Sequence, residues 1–94
     1  MALQQAKFAL GQLAATPGAL EALKESGQTP SFFLECHAAG DWGEVGAEAW
    51  ELNDQALIDG DRLLSAYRTL RGVKLWIITE ADRSVTTILL PEEY

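Results

Sequence analysis

The chain has 94 residues, with 14 acidic against 7 basic side chains, a net charge of −7 and a hydrophobic content of 48%. That size and composition suit one folded domain over residues 1–94 and exclude a disordered chain. No apolar run reaches the ~20 residues that a membrane span needs, and an acidic chain is a poor candidate for direct nucleic-acid binding, which relies on Lys and Arg to neutralise phosphates.

The negative charge fits a protein partner that carries a basic patch, including a surface that normally holds nucleic acid. It also keeps a small protein in solution. Residues 1–7 lack a basic region followed by an apolar block, so no secretory signal is expected. Cys36 is the one cysteine. It cannot form an internal disulfide, and it points to a reducing compartment, with cytoplasm as the expectation.

Residues 1–15 admit two readings. The Ala- and Gln-rich start suits a short helix, whereas residues 8–15, with Gly11 in their middle, read better as a strand. Thr16-Pro17 is a helix start, a capping hydroxyl followed by proline in the first turn. That helix runs through Ala19, Leu20 and Leu23 and stops at Gly27. Thr29-Pro30 repeats the signal. The second helix places Phe33 and His37 on one face, four residues apart, and ends at Gly40. Asp41-Trp42-Gly43 is a tight loop.

A third helix is predicted over about residues 45–58, with Val45, Ala49, Leu52 or Asn53, and Ala56 on one stripe. Gly60 ends it. Strands are predicted over residues 63–67, 73–79 and 85–90, with turns at 70–72 and 80–84. Pro91 stops the last strand because proline cannot donate to a ladder. The fold class is therefore α+β. Two or three N-terminal helices pack on a C-terminal three-stranded antiparallel meander, with an extra N-terminal strand as an option.

In the central strand Val73, Leu75 and Ile77 point one way, and Trp76 and Ile78 the other. Both faces are apolar. Helices cover one, and the second is left to a remaining helix or another molecule. A homodimer and an unidentified protein partner are both candidate occupants.

Four strings carry a likeness to known proteins: residues 16–20 (TPGAL), 37–43 (HAAGDWG), 62–67 (RLLSAY) and 76–94 (WIITEADRSVTTILLPEEY). Together they resemble a family of small bacterial proteins labelled "plasmid-related protein". The likeness runs from about Phe8 to Tyr94. It implies a bacterial, cytoplasmic setting and a role linked to mobile DNA, and it brings no activity, substrate or catalytic residue.

His37 is the one histidine, and so the natural acid–base group near neutral pH. Asp41, four residues on, could orient its imidazole. Arg83 has the planar fork that suits phosphate or carboxylate. The same residues also have plain structural readings: His37 packing at a helix end, Asp41 capping a turn, Arg83 pairing with an acid. Glu80, Asp82 and Arg83 crowd the last turn and form a candidate binding patch. Trp42 in its Gly-bounded loop is either an interface anchor or a plug in the core.

Metal binding is not expected. Cys36 and His37 are adjacent, so on a helix they diverge by about 100° and no spaced second pair supports them. No phosphate-cradling glycine loop is present, and no cofactor is expected. Two functions follow. The first is a small acidic protein-binding or regulatory module, an accessory factor of a mobile element. The second is a small metal-independent enzyme acting on a phosphodiester or nucleotide. It would use His37 as general acid/base, Asp41 as orienter and Arg83 as anion stabiliser.

Overall fold

A computed structural model that describes residues 5–94 holds three helices and four strands. Their order is β1 (Gln12–Ala15), α1 (Pro17–Glu25), α2 (Pro30–Ala38), α3 (Ala47–Asp59), β2 (Leu63–Arg68), β3 (Lys74–Thr79) and β4 (Val85–Leu89). A short 3₁₀ turn, Pro91–Glu93, follows. The helix considered for the N-terminal start lies partly outside the described residues, and residues 5–11 hold none. Among the described residues no helix is long and apolar enough to cross a membrane.

The strands form one mixed sheet in the order β1-β4-β3-β2. β2, β3 and β4 make the expected antiparallel meander. The sheet is larger than a meander, however, because β1 adds a fourth strand parallel to β4. A parallel pair needs a long crossover. Here α1, α2, α3 and two strands intervene, so the partners are more than 60 positions apart and no local turn signals the pairing.

Alternation divides the sheet into two faces. Leu63, Ser65 and Tyr67 align with Thr79, Ile77 and Leu75, and Thr79 and Ile77 align with Thr86 and Ile88. This face receives the helices: Ala19 and Leu23 of α1 and Phe33 and Leu34 of α2 join Tyr67, Leu75, Ile77 and Ile88 in one core. Trp42, Ala56 and Leu63 form a second cluster beside it, flanked by Phe8, Val45, Trp50 and Leu57.

The helix starts follow their local chemistry. Thr16 accepts from the Ala19 N–H through its hydroxyl, and Pro17 sits in the first turn. Thr29-Pro30 begins α2 without a side-chain cap bond. α3 starts at Ala47, two residues later than the stripe suggested, and ends at Gly60 in the left-handed conformation.

The stripe on α3 also resolves at one position. Asn53 is buried while Leu52 is 66% exposed. An amide displaces a leucine because of what lies opposite. The Asn53 side chain donates to the Leu64 carbonyl at 2.8 Å and accepts from the Leu64 N–H at 3.1 Å. It therefore closes the outer edge of β2 as another strand would. The next open position is closed by the loop: Ala66 donates to the Trp42 carbonyl, and Glu44 donates to the Ala66 carbonyl. An exposed strand edge invites pairing with other chains, and two separate devices block this one. Asn53→Ala should cost about 2 kcal/mol, since it leaves both Leu64 groups unpaired. Urea melts of the two proteins would show it.

Gly43 makes the loop's approach fit. Its φ is +75°, and a Cβ there would lie 2.0 Å from the Ala66 carbonyl oxygen. That oxygen is backbone and cannot rotate away. Gly43→Ala is expected to lose at least about 2 kcal/mol through strain and the lost edge contact, read as a lower midpoint of thermal or urea unfolding.

Candidate functional site

His37 sits on the inward face of α2 and is fully buried. It meets two inward strand positions that carry hydroxyls instead of hydrocarbons, and a third lies behind them. Nδ1 lies 2.5 Å from Ser65 Oγ on β2, and Nε2 lies 2.9 Å from Thr79 Oγ1 on β3. Thr79 Oγ1 lies 2.7 Å from Thr86 Oγ1 on β4. Thr86 in turn donates to the Leu10 carbonyl at 2.7 Å.

Counting protons along this chain assigns the tautomer. The Leu10 carbonyl only accepts, so Thr86 spends its one proton there. Thr79 must then donate to Thr86 and accept from His37. His37 therefore carries its proton on Nε2, and Nδ1 accepts from Ser65. Each donor has one acceptor, and the set closes only with a neutral imidazole. Burial, followed by the nearby Arg83 charge, lowers the His37 pKa to about 4. The aromatic rings of Phe8 and Trp42 pack edge-on against the imidazole at 5.2 and 5.6 Å.

Arg83, the proposed anion anchor, is engaged by backbone. Its guanidinium donates to the carbonyls of Asp61, Glu80, Ala81 and Ala56. Ala56 lies in the last turn of α3, where the helix dipole favours a cation. The guanidinium also sits 5.6 Å from the Phe8 ring centroid. Arg83 and His37 thus share Phe8 as a neighbour, while their polar atoms turn to separate partners.

Asp41 is occupied as well. Its carboxylate accepts from the Gly43 N–H at 3.2 Å, and its carbonyl accepts from the Tyr67 hydroxyl. Burial raises the Tyr67 pKa, so the phenol stays a donor. Asp82 accepts from the Ser84 N–H at 3.0 Å, and the Ser84 hydroxyl, followed by this turn bond, holds its carboxyl below the usual range. Trp42 is wholly enclosed, stacked on Phe8, with its indole N–H on the Asp54 carboxylate at 2.9 Å. It therefore forms part of the core and not of the surface. The Cys36 thiol is held protonated by burial, with the charges of Asp41 and Glu35 adding to the effect. Among the described residues no group of three His, Cys, Asp or Glu side chains could hold a metal ion.

The opposite sheet face is built differently. Leu64, Ile78 and Thr87 align across it, as do Ala66, Trp76 and Leu89. The C-terminal 3₁₀ turn packs against β3 here. Glu93 accepts from the N–H groups of Gly18 at 3.1 Å and Leu90 at 2.9 Å, and from the Thr16 hydroxyl. These donors hold its carboxyl below the ordinary range, the Thr16 hydroxyl foremost. The turn is thereby tied to the start of α1, and Tyr94 comes to rest edge-on to Trp76 at 5.9 Å.

A groove of about 240 Å³ remains beside Tyr94, lined by Arg62, Ile78, Glu80, Thr87, Leu89, Glu93 and Tyr94. Arg62 donates to the Tyr94 hydroxyl at 2.8 Å and pairs with Glu80 at 3.5 Å. Of the candidate site residues named from the sequence, Glu80 alone lines this groove. Arg62 and Tyr94 were not distinguishable there, because nothing local marks two residues 32 positions apart as partners. Ser65, Thr79 and Thr86 did carry a signal: each is a polar residue in the apolar phase of its strand.

No protein-family model, no curated protein and no solved structure matches the chain.

Proposed function

We propose that this protein is a small acidic binding module that engages a partner protein through the sheet face opposite its helices. One observation carries the reading. That face carries a groove of about 240 Å³ beside Tyr94, and Leu64, Trp76 and Thr87 stay partly exposed on it, while Ile78 and Leu89 are already buried. Concave apolar ground with a few polar groups is the usual form of a binding site. The net charge of −7 favours a basic partner.

The catalytic reading of His37, Asp41 and Arg83 draws no support from the geometry. Both imidazole nitrogens are engaged in the core, and the Arg83 fork is spent on carbonyls. The resemblance to plasmid-related proteins supports placing the module as an accessory factor of a mobile element in a bacterial cytoplasm.

The test is affinity capture from a bacterial host with two surface variants. Thr87→Arg puts a long cation in the groove, and Leu52→Arg puts one on the exposed side of α3. A stoichiometric partner, a second copy included, should be retained by the wild type and by Leu52→Arg and lost by Thr87→Arg. Retention by all three would overturn the reading.

A further inference from the structure

We infer that the groove recognises an arginine of a basic partner segment, and that Arg62 is its built-in competitor. This rests on the open sheet face being the binding surface. It goes further, because the chain itself displays what the groove holds.

The Arg62 guanidinium touches three groups at once. Its carbon lies 5.5 Å from the Tyr94 ring centroid. Its Nη1 donates to the Tyr94 hydroxyl at 2.8 Å, and its Nε lies 3.5 Å from Glu80 Oε1. An aromatic ring, a hydroxyl acceptor and a carboxylate are what a planar cation with several donors requires. Thr87 and the exposed Tyr94 ring line the groove above the buried Ile78 and Leu89, and offer a wall for the aliphatic stem that carries such a head.

The internal guanidinium is held weakly. Both Arg62 and Glu80 side chains are close to half exposed, and pairs of that kind contribute little in water. Tyr94 is 68% exposed. Displacing Arg62 therefore costs little, and the incoming arginine regains the same three contacts. Charge favours the exchange. Glu80 and Glu93 line the groove, and Arg62 is the one cation among its lining residues. Glu93 is tied to Thr16, Gly18 and Leu90, which leaves Glu80 as the carboxylate an incoming cation would meet. A neutral or acidic segment would find no such match, and a lysine would lose the planar fork.

The experiment is an amide and indole NMR titration of the full chain. The probe is a short capped peptide with one arginine flanked by leucine and valine, compared with versions bearing lysine or citrulline at that position. The arginine peptide should shift Ile78, Thr87, Leu89 and the Trp76 indole. It should bind Arg62→Ala at least about five-fold more tightly than the wild type, and Glu80→Gln at least about five-fold more weakly. The citrulline peptide should leave these resonances in place. If the citrulline peptide binds the groove as well as the arginine one, or Arg62→Ala gains nothing, arginine recognition is overturned while the open face stands as a binding surface. If no peptide moves the groove resonances, the inference fails. If affinity capture then also proves indifferent to Thr87→Arg, the open-face reading falls with it.

Discussion

Trp42→Ala is expected to destabilise the protein by about 3–5 kcal/mol, the range for emptying a buried aromatic site. A domain of this size holds only about 5–14 kcal/mol in total, so the variant should lose a large share of its stability. The reason lies in how many parts meet at this ring. Trp42 stacks on Phe8, meets the edge of His37 and packs with Ala56 and Leu63. Its carbonyl also closes the edge of β2. The N-terminal segment, α2, α3 and the sheet would all face one cavity. Trp42→Phe keeps most of the packing and loses the indole bond to Asp54, at a cost nearer to about 1 kcal/mol. Urea unfolding of the three proteins separates packing from the hydrogen bond.

Stability should also fall by about 2–3 kcal/mol between pH 7 and about pH 4.5, and His37 should account for it. Its pKa is lowered to about 4 in the folded protein from an ordinary 6.5. Between those values the unfolded chain takes up a proton that the folded chain refuses. The unfolded state then binds more protons, so stability rises with pH across this window and levels off above it. Protonation at Nδ1 would set two donors, the new N–H and the Ser65 hydroxyl, against each other. The depressed carboxyls of Asp82 and Glu93 act in the same direction, at and below the lower end of this window. Equilibrium urea melts across the range should show the slope in the wild type and its absence in His37→Gln.

Much of the fold was legible because its signals are local. Threonine–proline pairs mark the starts of α1 and α2, Gly60 marks the end of α3, and period-two alternation marks β2, β3 and β4. The parallel pairing of β1 with β4 was not legible, since nothing in residues 12–15 refers to residues 85–88. The choice of Asn53 over Leu52 was equally hidden. Helical periodicity selects a face by hydrophobicity, whereas this position is chosen by two unpaired groups on another element. The polar residues were legible as unusual but not for what they do. His37, Asp41 and Arg83 read as a catalytic set because the sequence shows side-chain chemistry without its partners. The partners are strand hydroxyls that take His37 into the core, and the N–H and carbonyl groups that engage Asp41 and Arg83 nearer the surface.

If His37 serves the core and the open sheet face serves the partner, the two can be separated by measurement. The decisive quantity is the affinity of the captured partner for His37→Gln and Thr87→Arg, both at a temperature where each is folded. His37→Gln is expected to bind within about two-fold of the wild type, and Thr87→Arg at least about ten-fold more weakly. Loss of binding in folded His37→Gln, with binding kept in Thr87→Arg, would contradict the open-face reading and return the functional site to the histidine.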